Sequence, residues 1–127
     1  MNARLNWHDA SYTCQTLGAM LAEPRSAMEN MILKGMFTSS GESNVWLGAH
    51  DMVTEGKWEW ASSGDPISGF TDWRQGEPNN LYGNEHCLEF QKPSMQWNDE
   101  DCGEVQRFIC QYDMASFSTV IGRRQFY

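Results

Sequence analysis

Four cysteines constrain the fold of this chain more than any other feature of its sequence. They are Cys14, Cys87, Cys102 and Cys110, and four cysteines allow three disulfide pairings. None of them belongs to a CxxC pair of the kind that is typical of zinc ribbons and thioredoxin-type redox sites. The sequence therefore predicts two disulfides in an oxidising compartment, and we expect the protein to be secreted.

Length and charge narrow the class of domain and the class of partner. The 127 residues suffice for one domain with a hydrophobic core but not for two. The 17 acidic residues against 9 basic ones give a formal net charge of −8, which would repel nucleic acids and anionic membrane surfaces. No stretch of the sequence is apolar enough to span a bilayer, and the start MNARLNWHDA lacks the apolar core of a signal peptide. We expect neither a nucleic-acid partner nor membrane insertion.

Two helices are predicted in the first part of the chain. Asn6 can cap the first helix, whose buried face would hold the residues at helical spacing Trp7, Ala10, Cys14 and Leu17. Ser26 and Glu29 form a capping box for the second helix. Its predicted inner stripe consists of Met28, Met31, Ile32 and Met36.

From Val45 onwards the pattern changes to that of strands. VWLGAH is short and apolar, KWEW alternates, and CLEF, MQWN and RFICQY are predicted to be closing strands. Gly, Pro, Ser and Asp dominate residues 62–80, which predicts a long irregular loop, and Trp73 and Pro78 favour an ordered one. The fold class is therefore α+β, with two helices flanking small antiparallel sheets and one long loop.

Two segments near the end of this loop are rich in oxygen donors. GEPNNLYGNEHC carries Glu77, Asn79 and Glu85, and WNDEDC carries Asn98 and Asp99. Carboxylate and amide oxygens suit Ca²⁺, which takes about 6–8 oxygen ligands. The alternative for such an acidic run is a solvated surface. The two segments together predict a calcium site.

The sequence fits zinc less well than Ca²⁺, and it leaves two conformations open for Pro78. Zinc prefers Cys or His ligands, and the histidines of the chain, His8, His50 and His86, show no paired spacing. A cis Glu77–Pro78 bond would turn the flanking side chains toward a common point. The sequence alone nevertheless favours an ordinary trans proline.

In its motifs and in their order, the chain resembles the C-type lectin domains over roughly residues 4–112. The matching segments are WxxAxxxC at 7–14, WLGA at 46–49, Glu-Pro-Asn at 77–79, Trp-Asn-Asp at 97–99 and FxC at 108–110. The resemblance implies a C-type lectin-like fold with a calcium-binding loop. It also implies that one set of residues binds both Ca²⁺ and the sugar, namely Glu77, Asn79, Glu85, Asn98 and Asp99.

The function that this resemblance implies is calcium-dependent carbohydrate binding without catalysis. In the family, Glu-Pro-Asn accompanies mannose-type sugars with equatorial 3- and 4-hydroxyls, so mannose-type glycans are the expected partners, with innate immunity as one setting for their recognition. Trp73, Leu81 or Tyr82 would pack against a sugar face, although Trp73 is more often a core residue. The alternative is a lectin-like module that binds a protein, a mineral or ice, with calcium as a structural ion. A glycosidase is disfavoured because a carboxylate that holds Ca²⁺ stays ionised and is a poor general acid.

The resemblance further implies a second calcium site and a pairing of the cysteines. The second site would use Asp51, Glu55, Asn80 and Glu85, but His86 stands where many members have Asp, and a plain acidic turn is the alternative. A disulfide between Cys87 and Cys102 would tie the two groups of ligands together, with a stabilisation of about 3 kcal/mol for a loop of roughly 15 residues. Cys14 would then pair with Cys110.

Both ends of the chain depart from the pattern of the family. Most members have a strand some way before the first of these motifs, whereas only six residues precede Trp7. The segment IGRRQFY, which follows the last motif, resembles that strand. We therefore expect residues 1–127 to form one circularly permuted domain in which residues 117–127 supply the usual N-terminal strand. The alternatives are a strand-swapped homodimer and a disordered tail.

Overall fold

A computed structural model describes residues 4–38, 44–80, 83–113 and 124–126 of the chain. In this part the elements are, in chain order, α1 (Trp7–Thr16), β1 (Met20–Leu21), α2 (Ala27–Thr38), β2 (Val45–His50), β3 (Glu59–Trp60), β4 (Glu85–Gln91), β5 (Gln96–Asp101), β6 (Arg107–Phe108), β7 (Cys110–Asp113) and β8 (Arg124–Phe126). The predicted α+β class and its two helices are confirmed. Neither helix of the described part has the length and apolar character that a membrane span requires.

The strands form two sheets, and the larger one carries most of the core. Its order is β3-β2-β4-β5, with antiparallel neighbours, while β6 lies parallel to β2. The smaller sheet has the order β1-β7-β8 and is antiparallel throughout. β8 pairs with β7 of the same chain, with Gln111 opposite Phe126 and Asp113 opposite Arg124. The rest of the tail, including Phe117, Val120, Ile121 and Tyr127, lies outside the described residues.

The first helix follows its prediction except at its last turn. Asn6 caps it, since Asn6 Oδ1 accepts a hydrogen bond from the backbone N–H of Asp9 at 2.8 Å. Trp7, Ala10 and Cys14 are buried as predicted. Leu17 is exposed, because the helix ends at Thr16 and the chain turns away there.

For the second helix, the predicted inner face is wrong. Its start is correct, since Ser26 Oγ accepts a hydrogen bond from the backbone N–H of Glu29 at 3.1 Å. The predicted stripe, however, is between 39% and 63% exposed at its four positions Met28, Met31, Ile32 and Met36. The face that packs inwards carries Leu33 and the polar Asn30, whose amide bridges Asp72 at 2.7 Å and the indole N–H of Trp97 at 3.0 Å. This face therefore combines the buried Leu33 with a buried amide whose donor and acceptor groups are both paired.

Two disulfides join the elements, and both have the expected pairing. Cys14–Cys110 joins α1 to β7, and Cys87–Cys102 joins β4 to the residue after β5. No cysteine of the chain is free. The second disulfide joins cysteines that are 15 residues apart, at the two ends of the β4–β5 hairpin. It lies between the two groups of predicted calcium ligands, as expected.

Candidate functional site

Trp97 fixes the long loop against strand β5. Its indole ring is fully buried and meets the rings of Trp60, Phe70 and Trp73 edge to face at 5.6–5.8 Å. The backbone of Trp97 exchanges hydrogen bonds with the loop, from Trp97 N–H to Asp72 O at 2.8 Å and from Arg74 N–H to Trp97 O at 2.9 Å. As a result, the part of the long loop that follows Arg74 starts next to the part of β5 that follows Trp97.

The Glu77–Pro78 peptide bond is cis, which contradicts the trans conformer that the sequence favours. The side chains on the two sides of Pro78 meet, since Asn79 Nδ2 donates a hydrogen bond to Glu77 Oε2 at 3.3 Å. Arg74 Nη2 lies 3.2 Å from the same oxygen. One carboxylate oxygen of Glu77 is thus paired with an amide and a guanidinium.

Asp99 connects the long loop to β5. Its carboxylate is buried and accepts hydrogen bonds from the backbone N–H groups of Asn79 at 3.3 Å and of Asn80 at 2.5 Å. Asn80 has a positive φ of 47°, and its side-chain oxygen accepts a hydrogen bond from the backbone N–H of Glu85 at 2.9 Å. Through these contacts, Glu77, Asn79 and Asp99 lie together, and Glu85 joins them by way of Asn80.

The other oxygen of Glu77 is an observation that points to a cation site. Glu77 Oε1 is buried and has no hydrogen-bond partner among the described residues. Burial raises the pKa of Glu77, and the adjacent carboxyl of Asp99 raises it further. A cation between two such carboxylates would satisfy the unpartnered oxygen and remove the repulsion. The donors present, which are carboxylate and amide oxygens, fit Ca²⁺.

Asn98 is held by a buried acid that the sequence analysis missed. Glu89 and Asn98 are opposite each other in the β4–β5 pairing, and Asn98 Nδ2 donates to Glu89 Oε2 at 2.7 Å. Burial raises the pKa of Glu89 to about 8, and the charges of Glu100 and Glu85 act in the same direction. A lone carboxylate inside the apolar segment CLEF was the signal that could have identified it. Asn98 is joined to the rest of the predicted set by the chain itself, since it directly precedes Asp99 in β5.

The residues of the predicted second site come together only in part. Asp51 Oδ1 and Glu55 Oε1 lie 3.0 Å and 3.3 Å from Nδ1 of His86. The ligand atoms of these three residues are all within 4.8 Å of one another. Asn80 uses its side-chain oxygen for the backbone of Glu85, as described above. The residue that completes the cluster is therefore His86, which the sequence had presented as a departure from the family.

The aromatic residues predicted beside the sugar have different outcomes. Trp73 is half-buried and packs against Trp58 at 5.1 Å, so it belongs to the core that supports the loop. Leu81 and Tyr82 lie outside the described residues. A cavity of about 350 Å³ borders the loop, and its lining includes Lys57, Trp58, Trp73 and Pro78.

Comparison with protein families identifies the chain. The family model described as the lectin C-type domain matches residues 3–112. The chain therefore belongs to the C-type lectin domain family. It is 36% identical over 118 residues to the CD209 antigen of Pongo pygmaeus, which covers 92% of this chain and 28% of that protein. It is 38% identical over 118 residues to C-type lectin domain family 4 member M of Symphalangus syndactylus, which covers 91% and 27% respectively. The chain thus spans less than a third of the length of these relatives.

Solved structures share the same fold. The carbohydrate-recognition domain of the mouse scavenger receptor C-type lectin has a TM-score of 0.79 and 28% identity, covering 87% of this chain and 82% of that one. The cow carbohydrate-recognition domain of CD23, solved in the presence of a GlcNAc2Man3 oligosaccharide, has a TM-score of 0.73 and 28% identity over 85% and 80%. A Ca²⁺-dependent type II antifreeze protein in its Ca²⁺-free form has a TM-score of 0.74 and 28% identity over 85% and 84%. These neighbours confirm the predicted C-type lectin-like fold.

Proposed function

We propose that this domain binds mannose-type sugars through a calcium ion held by the long loop and β5. The observation that carries the proposal is the buried, unpartnered Oε1 of Glu77 beside the carboxylate of Asp99. Members of the family are generally carbohydrate-binding domains rather than enzymes, and no catalytic role is proposed.

The ligands of this ion would be Glu77, Asn79, Glu85, Asn98 and Asp99. A Ca²⁺ bound there would coordinate two neighbouring hydroxyls of one sugar ring. The protein groups around it complete the recognition, because carboxylates accept hydrogen bonds from these hydroxyls and the asparagine amides donate to them. Asp99 also has a structural role, since its carboxylate accepts hydrogen bonds from the backbone N–H groups of Asn79 and Asn80.

The preference for mannose-type sugars rests on the order Glu77, Pro78, Asn79. The two side chains are in contact at 3.3 Å, with an acceptor on Glu77 and a donor on Asn79. Such a pair matches two adjacent equatorial hydroxyls of which one donates and the other accepts. The cow CD23 domain, solved in the presence of a mannose-containing oligosaccharide, supports this preference by analogy.

A glycan array measured with Ca²⁺ and again with EDTA tests the proposal. We expect signals on mannose-terminated glycans in Ca²⁺, weak signals on galactose-terminated ones, and none in EDTA. Binding of galactose alone would contradict the specificity, and equal binding in EDTA would contradict the role of calcium.

A second candidate function is a lectin-like module for a protein or for a mineral or ice surface, with calcium as a structural ion. The observation that favours it is the similarity to the type II antifreeze protein described above. Calcium binding by calorimetry, combined with a silent glycan array and with inhibition of ice-crystal growth, would select this function over sugar binding.

We also propose that the protein acts in an oxidising, extracellular setting and binds in several copies. Both pairs of cysteines form disulfides, which persist in secreted proteins. A single shallow sugar site is weak, so homo-oligomers would gain avidity from several sites on one glycan surface.

The permuted arrangement of the domain is likewise a proposal. The antiparallel pairing of β8 with β7 inside one chain supports it. A domain completed in this way needs no second copy for its outer strand, in contrast to the strand-swapped homodimer.

A further inference from the structure

Two carboxylates and one imidazole, which are all groups that can bind a metal ion, lie together where β2 ends and β4 begins. The backbone fixes the first contact, since Asp51 N–H donates to His86 O at 3.0 Å. Asp51 is then oriented by its own loop, because Asp51 Oδ2 accepts a hydrogen bond from the backbone N–H of Gly56 at 2.9 Å. This leaves Asp51 Oδ1 directed at the imidazole of His86, at 3.0 Å.

One of the three side chains is buried, and the other two are partly exposed to solvent. The side chain of Asp51 is 1% exposed, whereas those of His86 and Glu55 are 31% and 55% exposed. Two carboxylates therefore meet one imidazole at a place that solvent and ions can reach.

The spacing of the ligand atoms matches that around a small divalent ion. Zinc lies about 2.0–2.1 Å from nitrogen and oxygen ligands in tetrahedral sites, which separates neighbouring ligand atoms by roughly 3.3 Å. His86 Nδ1 lies 3.0 Å from Asp51 Oδ1 and 3.3 Å from Glu55 Oε1. These two separations are close to that value, and all three ligand atoms lie within 4.8 Å of one another. The exposed side would leave a fourth position to water.

We infer that Asp51, Glu55 and His86 form a site for a divalent transition-metal ion of the zinc class, distinct from the calcium site at Glu77 and Asp99. Calcium prefers an all-oxygen shell, while imidazole suits zinc and its neighbours. His86 replaces one oxygen donor of the second calcium site that the sequence suggested, and so changes the class of ion. The sequence disfavours zinc because its histidines show no paired spacing, but here two carboxylates join one histidine. The inference is independent of sugar binding.

Calorimetric titration of the folded protein with Zn²⁺ tests this site. Saturating Ca²⁺ is kept in the buffer so that the calcium ligands are occupied. We expect one Zn²⁺ per chain, and we expect His86→Asn to lower the affinity by about tenfold or more. His8→Asn is the matched control, since it removes an imidazole that lies on α1 outside this cluster and should leave the titration unchanged.

Each result of this titration decides the question. The competing explanation is that His86 contacts the two carboxylates directly and that no metal ion is needed. That explanation, and not ours, predicts no saturable Zn²⁺ binding by the wild-type protein. Equal Zn²⁺ binding by His86→Asn, or loss of binding in the His8→Asn control, would also overturn the assignment. Thermal unfolding of each variant in Ca²⁺ shows whether it is folded, and Asp51→Asn provides a second variant that should weaken Zn²⁺ binding.

Discussion

Asp99 Oδ2 accepts a hydrogen bond from the backbone N–H of Asn80 at 2.5 Å, which links the middle of strand β5 to the turn of the long loop. The residue that would bind calcium is therefore also the residue that shapes the loop. Loop conformation and ion affinity are expected to change together, because a buried carboxylate that accepts backbone hydrogen bonds contributes both charge and order.

Replacing Asp99 by Asn is expected to lower calcium affinity by at least about tenfold and to abolish detectable sugar binding. The variant keeps an oxygen acceptor for one backbone N–H but loses the negative charge and the second acceptor. Calcium titration by calorimetry measures the effect. Glu104→Gln removes an exposed charge in the turn after β5 and serves as the control, with affinity unchanged. Wild-type affinity in Asp99→Asn would mean that the ion is bound elsewhere.

Exchanging the charges across Pro78 is expected to change the sugar preference. The double variant Glu77→Gln, Asn79→Asp keeps the net charge and keeps a donor and an acceptor in contact, but in reversed order. Because the donor and the acceptor exchange places, competition between mannose and galactose should shift toward galactose while calcium binding persists. The single variant Glu77→Gln should instead lose calcium affinity. A double variant that still prefers mannose would remove these two residues as determinants of specificity.

The calcium-free protein is expected to lose stability as pH rises, because the buried carboxyl of Glu89 has a raised pKa. Its folded-state pKa of about 8 lies above the ordinary value of 4.5, so the folded protein keeps a proton that the unfolded chain releases between these values. The free energy of unfolding therefore falls through this window, by an amount on the order of a few kcal/mol. Glu89→Gln should flatten this dependence, while the exposed control Glu104→Gln should not. Urea unfolding in EDTA at pH 5 and pH 8 compares them, and equal pH dependence in Glu89→Gln and wild type would contradict the shifted pKa.

The tail strand is expected to stabilise the domain within a single molecule. Deleting residues 114–127 removes β8 and leaves the edge of β7 unpaired, so thermal stability should fall. If the pairing is intramolecular, sedimentation should show the same association state for the full chain and for the chain without residues 114–127. A dimer that disappears on deletion of the tail would favour the strand-swapped arrangement.

The sequence predicted the fold because its signals are local or covalent. The cap at Asn6, the strand pattern of VWLGAH and the pairing of Cys87 with Cys102 all agree with the structure. The inner face of α2 was missed because apolar periodicity cannot reveal that Asn30 satisfies Asp72 and Trp97 in the interior. Burial of a polar group depends on partners that are distant in sequence.

The candidate site was predictable as a set of residues but not as a set of contacts. Motif spacing named Glu77, Asn79 and Asp99, and the structure brings these three together. The roles of Glu89 and His86 depend on strand register and on the end of β2, which no short motif encodes. The cis Glu77–Pro78 bond was an open alternative, since proline allows both isomers and tertiary contacts choose between them.

The central claim is tested most directly by calorimetric titration of the wild-type domain with methyl α-mannoside, in Ca²⁺ and then in EDTA. A single weak site per chain is predicted in Ca²⁺, with methyl α-galactoside giving little or no heat. In EDTA the mannoside should give no binding heat, and added Ca²⁺ should restore it. Mannoside binding of equal strength in EDTA would contradict the account, as would the absence of mannoside binding by a domain that binds Ca²⁺.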